Sequence, residues 1–244
     1  MVRVTMLGSG DACGSGGRLN SAYLIEAPDV TFLVDAGPTV LQGLKAAGRD
    51  TTAVDFVLLT HLHGDHFGGV PFLFMEWRWC HPRTRPFLVC GPPTVERRVQ
   101  TLFAALYEQS AAEGTSFPVK YEELRPGRAH TIGKVRVLPI QVPHAPELLC
   151  LGFRVEVAGK TLLFSGDTTW CDALMRHARG ADLFLCDCSN YETRTFHLSY
   201  PEIAAHASEL GCKRLVLTHL GQETLDRLSE LNLECGRDGL TIEL

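Results

Sequence analysis

Between Leu58 and Val70 the chain reads LLTHLHGDHFGGV, which places His61, His63, Asp65 and His66 within six positions after an apolar run. That spacing is too short for a helical i, i+4 pair. It suits a strand end turning into a loop, with alternate residues facing one cavity and Gly64 permitting a sharp turn. His61 and His63 can then hold one ion while Asp65 and His66 hold a second. Imidazole nitrogen and carboxylate oxygen without thiolate favour zinc, with manganese or iron as alternatives.

Two ions need more ligands than one loop supplies. The remaining candidates are His130, His144, Asp167, Asp187, His197, His206 and His219. His144 follows a strand in VPHAP, Asp167 ends LLFSGDT and His219 ends LVLTH, so these three have strand-end context. His81, His177 and His206 fall in expected helices among charged neighbours and read as surface residues, and His130 reads as a turn or edge residue.

The elements that must position these groups follow from one regularity. LLTH, LFSGD, LFLCD and LVLTH are each an apolar strand ending on His or Asp, and strand C-terminal ends are where open α/β sheets assemble sites. VRVTML, SAYLIEA and TFLVDAG open the chain as strands, with a helix from Val40 to Ala47 and a buried strand VDFVLLT. Helices are expected over Phe67–Trp79 and Pro93–Ala112, with the strand PFLVCG between them. The second half gives strands KVRVLPIQV, LGFRVEVAG, KTLLFSGD, ADLFLCD and KRLVLTH, with helices near 170–178 and 200–210. Strands followed by βα units in each half predict an α/β fold of two packed sheets with helices outside, over a single domain spanning 1–244.

With 244 residues, 45% hydrophobic and 21% charged, the chain can bury a substantial core. No segment reads as a membrane span or signal peptide, so a soluble, cytoplasmic protein is expected. The nine cysteines lack a Cys-x-x-Cys pair and lie mostly in apolar strands, as reduced core residues do. Cys186-x-Cys188 is the one pair that metal or redox work could use. A net charge of −5 gives the whole molecule no attraction for nucleic acid, so polynucleotide binding would need a local basic patch.

Taken together, the His-x-His-x-Asp-His run at 61–66, His144, the Ser-Gly-Asp-Thr at 165–168 and the Leu-Thr-His at 217–219 resemble the metallo-β-lactamase superfamily, in that family's order. The resemblance implies a four-layer αβ/βα sandwich with a dinuclear centre between the sheets. It implies that His61, His63 and His144 bind one ion, that Asp65, His66 and His219 bind the other, and that Asp167 and a water or hydroxide bridge them. Paired divalent ions suit hydrolysis, phosphodiester cleavage above all, with Asp65 able to orient the nucleophile or shuttle its proton.

Within that superfamily, the redox branch normally carries Glu where His63 stands, so a hydrolase is expected. LGSGDACGSGGRLNSAYLIE and FHLSYPEIAAHASELGCKRLVLTHLG resemble the ribonuclease Z group and related small phosphodiesterases. His197 then takes the place of a helper histidine that contacts phosphate or protonates the leaving oxygen. GSGDACGSGG lacks the Lys-Ser/Thr ending of a phosphate loop and reads as a turn beside the cleft. Only 22 residues separate His144 from Asp167, which leaves no room for a tRNA-binding arm. The expected substrate is a phosphodiester, either a small or cyclic molecule or an RNA 3′ end. Lactone, thioester or other carboxylic ester hydrolysis is the alternative. Relatives are often homodimers. In 75–87, MEWRWCHPRTRPF, the Trp and Arg residues could stack on bases and grip phosphates, or simply form a packed helix end with solvated Arg side chains.

Overall fold

The computed structural model describes residues 1–193 and 195–244. The chain runs through β1 (Arg3–Gly8), β2 (Ala22–Ala27), β3 (Val30–Val34), β4 (Phe56–Leu58), β5 (Phe87–Gly91) and β6 (Val119–Glu123). It continues through β7 (His130–Ile132), β8 (Val135–Val142), β9 (Cys150–Val157), β10 (Lys160–Phe164), β11 (Leu183–Asp187) and β12 (Leu215–Thr218), and β13 (Thr241–Glu243) returns to the first sheet. The sheet orders are β13-β1-β2-β3-β4-β5-β6 and β12-β11-β10-β9-β8-β7. Strands β3 to β6 are mutually parallel, as are β10 to β12.

Alternation along the strands sorts side chains among three cores. Phe32, Val34, Phe56 and Leu58 meet Leu162, Phe164, Leu183 and Leu185 between the sheets. Their neighbours Leu33 and Val57 face outward onto α1 (Val40–Ala46), α2 (Gly64–Phe67), α3 (Val70–Met75) and α4 (Val95–Leu106). On the second sheet, Leu163 and Phe184 face outward onto α6 (Asp172–Ala178) and α7 (Tyr200–His206), which follow α5 (Glu108–Glu113). Each fully buried Leu or Phe contributes roughly 1.5–3 kcal/mol. A one-residue slip would move every such side chain to the wrong layer, so burial fixes the register. The four-layer sandwich expected from sequence is therefore the observed architecture.

Three local expectations differ. The helix over 67–79 is divided: α3 ends at Met75 and a π turn covers Glu76–Cys80, leaving His81 beyond it and outside any helix. The helix over 93–112 breaks at Tyr107, whose backbone (φ −142°, ψ 64°) separates α4 from α5. No residue of α5 is fully buried, and Ala111 packs partly on the core that α4 also covers. Gly64 is the first residue of α2 and has no positive φ, so the turn does not depend on a glycine there.

Segment 75–87 is divided between packed and exposed side chains, with Trp79 65% exposed. Trp77 is completely buried, and Arg78 is bonded to Glu113 and to the Gly114 carbonyl. Arg83, expected in solvent, is 3% exposed, and its guanidinium donates to the carbonyls of Thr52 (3.0 Å), Val54 (2.7 Å), Arg85 (2.9 Å) and Pro86 (2.8 Å). Burial lowers its pKa to about 10, so it stays charged at neutral pH. The planar fork thus ties the lead-in to β4, the strand that carries His61, to the lead-in to β5. Arg83→Ala would leave these carbonyls without their donor. The expected loss is roughly 3 kcal/mol of unfolding free energy in a urea titration, and Arg83→Lys should recover only part of it because an ammonium cannot reproduce the fork.

Candidate metal centre

Every side chain of the site sits just at or beyond a strand end or at the start of α2. Asp35 follows β3, His61 follows β4, and His63 is the N-cap of α2, whose first turn carries Asp65 and His66. His144 follows β8, Asp167 follows β10, Asp187 ends β11, and His219 follows β12. Asp35 and His219 hold left-handed backbones (φ 58° and 57°), a conformation that costs energy for non-glycine residues and gathers at functional sites. Glycine is required at Gly37, where a Cβ would lie 2.3 Å from the Asp65 carbonyl oxygen, and at Gly166, with φ 59° and the Leu151 carbonyl 2.6 Å from any Cβ. Those close approaches let the α2 turn and the β10 loop converge on one point.

Three groups of ligand atoms result, the third, Asp167, Asp187, His197 and His219, overlapping the second. His61, His63 and His144 form the first, and Asp65, His66, Asp167 and His219 the second, with the atoms of each group within 4.8 Å of one another. In the first, His63 Nδ1 lies 3.0 Å from His61 Nε2 and 3.1 Å from His144 Nε2. Three imidazole nitrogens cannot all satisfy one another with protons, whereas their lone pairs can share a cation. In the second, His66 Nε2 is buried with no hydrogen-bond partner in the described structure, although it lies 3.3 Å from Asp65 Oδ2 and 3.2 Å from Asp167 Oδ2. Asp167 Oδ2 also lies 3.4 Å from His219 Nε2 and 3.8 Å from both His61 Nε2 and His144 Nε2. One carboxylate oxygen therefore reaches the first and second groups. These buried His/Asp clusters fit a dinuclear metal site.

The opposite edges of the rings are tied down. His66 Nδ1 bonds Asp35 Oδ2 at 2.8 Å, and Asp35 also accepts from the Thr60 amide and hydroxyl. His61 Nδ1 lies 3.1 Å from that same hydroxyl, and His144 Nδ1 donates to the Phe196 carbonyl at 2.7 Å. Such contacts fix tautomer and ring direction, as second-layer partners of metal-binding histidines do. Asp35 was missed by the reading of strand ends, although FLVD has the same apolar-strand-to-Asp form as LFLCD. Asp187, a candidate without a role, accepts from His197 Nδ1 (3.1 Å), the Thr168 amide (3.1 Å) and the Ser189 amide (3.2 Å).

The titration directions describe a site short of positive charge. Burial, with the neighbouring imidazoles, holds His61 and His63 below the ordinary histidine range, which keeps them in the neutral, ligating form. Burial opposes charge on His66 and His219 as well. The surrounding carboxylates, Asp167 first, nevertheless drive His66 well up and His219 to about 9. Burial would raise Asp167, but His219 and His66 hold it well below the usual carboxylate range. His197 is raised, its burial outweighed by the bond to Asp187 and that group's charge.

The cleft beside these groups has a volume of about 340 Å³, and Ala12, Glu147, Phe196 and His197 line it together with the ligand side chains. Ala12 comes from the Gly-rich stretch, which Asp11 folds by accepting from the Cys13 and Ser15 amides, so that stretch is a turn at the cleft. A larger groove of about 730 Å³ lies over α4, α5 and β6, away from any cluster of ligating side chains. Four histidines stand apart from the centre. His130 is on edge strand β7 bonded to Glu122, His206 packs on Trp170, His81 bonds Glu76, and His177 lies near the end of α6. Among the described residues, no helix is long and apolar enough to cross a membrane.

Known proteins resemble this chain in sequence and in fold. The family described as anti-Pycsar protein Apyc1 matches residues 2–233. An uncharacterized Mycobacterium leprae protein, ML1173, is 36% identical over 245 residues, covering 96% of this chain and 83% of that protein. A ribonuclease Z of Mycobacterium bovis is 30% identical over 240 residues, covering 90% and 86%. Among solved structures, the short form of human tRNase Z superposes with a TM-score of 0.80 at 22% identity, covering 99% of this chain and 98% of that one. The metallo-β-lactamase fold protein YhfI of Bacillus subtilis superposes with a TM-score of 0.77 at 22% identity over the full length of both. With this fold, its own buried His/Asp clusters and a family match over residues 2–233, the chain belongs to the Apyc1 family and is a metal-dependent hydrolase of the metallo-β-lactamase fold.

Proposed function

We propose that the protein is a dinuclear phosphodiesterase whose substrate is a small phosphodiester of cyclic-nucleotide type. In this reading His61, His63 and His144 hold one ion, Asp65, His66 and His219 hold the other, and Asp167 joins them. Zinc suits the donor set, with manganese and iron also compatible. Two such ions would lower the pKa of a water between them and neutralise charge on the phosphoryl oxygens.

The observation that carries the reading is the placement of His197. Its ring stacks on His219 with centroids 5.1 Å apart and planes 15° apart, and Nδ1 is engaged by the buried Asp187 carboxylate. Asp187 thereby holds the proton on Nδ1 and leaves Nε2 as the nitrogen available to the cleft. A proton on both nitrogens lets Nε2 donate to the oxygen that leaves phosphorus, while Asp187 stabilises the resulting cationic form before transfer. In this reading Asp65 also orients the attacking water or shuttles its proton.

Size and charge favour a small substrate over RNA. Only β9, β10 and their connecting turns lie between His144 and Asp167, so no arm projects there to hold a tRNA. Glu147 at the rim adds negative charge that would repel the flanking phosphates of a polynucleotide. The family description and the ribonuclease Z relatives support phosphodiester chemistry.

Two measurements test this. His197→Gln should lower kcat for a 3′,5′-cyclic nucleotide by roughly 10²–10⁴-fold, with metal content unchanged. Loss on bis(p-nitrophenyl) phosphate should be much smaller, because p-nitrophenolate leaves without a proton. Equal loss on both would remove His197 as a proton donor, and efficient lactone or thioester turnover with none on phosphodiesters would overturn the reading. Separately, Asp35→Asn should weaken one of two metal-binding steps by roughly 10–100-fold in chelator competition, since only His66 depends on that carboxylate directly. Both steps unchanged in Asp35→Asn would overturn the role given to that carboxylate.

A further inference from the structure

Phe196 is a large apolar side chain, 49% exposed, on the wall of the catalytic cleft. The other exposed large apolar residues among those described, such as Trp79, Leu106 and Leu228, do not line the cleft. An exposed phenylalanine loses hydrophobic stabilisation unless something covers it, and a cleft position selects a ligand as the cover.

Its backbone is also unusual, with φ 78° in the left-handed region that bulky residues avoid. The surroundings enforce this. The Phe196 carbonyl accepts from His144 Nδ1 at 2.7 Å, and the next two residues are anchored on Asp187 through His197 Nδ1 and the Leu198 amide, while Leu198 itself is fully buried. With its carbonyl and both following residues fixed, the remaining direction carries the ring into the cleft. There its plane stands nearly perpendicular to the His144 ring (86°, centroids 6.4 Å apart). Ala12, Ala145 and Pro146 add a small, apolar stretch to the wall beside Glu147, and that stretch suits a flat ring better than a hydrated sugar or a second phosphate.

We infer that Phe196 is the specificity-determining residue of the cleft, a platform on which the nucleobase of the substrate stacks while its phosphodiester lies over the metal centre. The inference rests on the phosphodiesterase reading above. Stacking on an aromatic ring is open to every base, because each has a π face. Phe196 therefore selects nucleotides over base-free phosphate esters without choosing strongly among bases.

Calorimetry on the metal-loaded protein tests this without turnover, using a nucleoside 5′-monophosphate and ribose 5-phosphate as probes. The wild type should bind the nucleotide roughly 10–100-fold more tightly than the sugar phosphate. Phe196→Ala and Phe196→Leu should bring that ratio near one, and Phe196→Trp should keep it. Leucine preserves apolar bulk, so a ratio retained in Phe196→Leu would overturn stacking in favour of simple hydrophobic contact. A wild-type ratio near one, or a ratio unaffected by Phe196→Ala, would also overturn the proposal. Because these are binding ratios, they stand apart from the hydrolysis assays: a nucleotide preference lost in Phe196→Ala would uphold the platform even if no phosphodiester were cleaved.

Discussion

Four carboxylates, those of Asp35, Asp65, Asp167 and Asp187, crowd around the same histidines, and all but Asp65 are essentially buried. Withdrawing one carboxylate from water costs several kcal/mol unless it is paired, so four together demand compensating positive charge. Protons on His66, His197 and His219 supply part of it, which is why those histidines are pushed up. Two divalent cations would balance the four carboxylates completely and release His66 and His219 to act as neutral ligands. The centre is thus a charge deficit built into the fold, and the strand ends are the device that maintains it.

Keeping like charges together requires a frame that cannot relax. The ligands come from both sheets, with His61 and His66 beyond the first and Asp167 and His219 beyond the second. The sheets are joined close to the centre: the Leu151 amide donates to the Thr60 carbonyl at 2.9 Å, and the Tyr23 and Thr218 hydroxyls meet at 2.8 Å in the buried layer. The left-handed backbones of Asp35 and His219 are the local cost of aiming carboxylate and imidazole inward. Neither group of ligands is complete until the sheets have packed, so ion binding and folding are coupled in this architecture.

Much of this is legible in the sequence because ligand chemistry and strand periodicity are both local. His61, His63, Asp65 and His66 declare themselves by density, and Asp167 and His219 by ending apolar runs. What escapes depends on contacts distant in sequence. Asp35 has no histidine near it in the chain and gains its role only when β3 lies beside β4. Arg83 looks like a surface cation, yet the distant carbonyls of Thr52 and Val54 join those of its neighbours Arg85 and Pro86 around it. Tyr107 interrupts a helix-like run through its own backbone while its ring still packs on Phe72 and Phe103, and Gly64, which appears to announce a sharp turn, merely begins a helix.

The same distinction separates chemistry from selectivity. The ligands are held by strands, whose geometry tolerates little change, whereas Phe196 lies on the connection between β11 and α7, where side chains are freer to differ. That connection is nevertheless not independent of the centre. The Phe196 carbonyl fixes Nδ1 of His144, and Asp187 anchors the next two residues, His197 by its imidazole and Leu198 by its amide. Side-chain replacement at Phe196 can alter what the cleft accepts while the carbonyl stays in place. A change of backbone there would free the His144 ring and disturb the first group of ligands. Selectivity in this fold is therefore adjustable through the side chains of a loop whose main chain belongs to the metal centre.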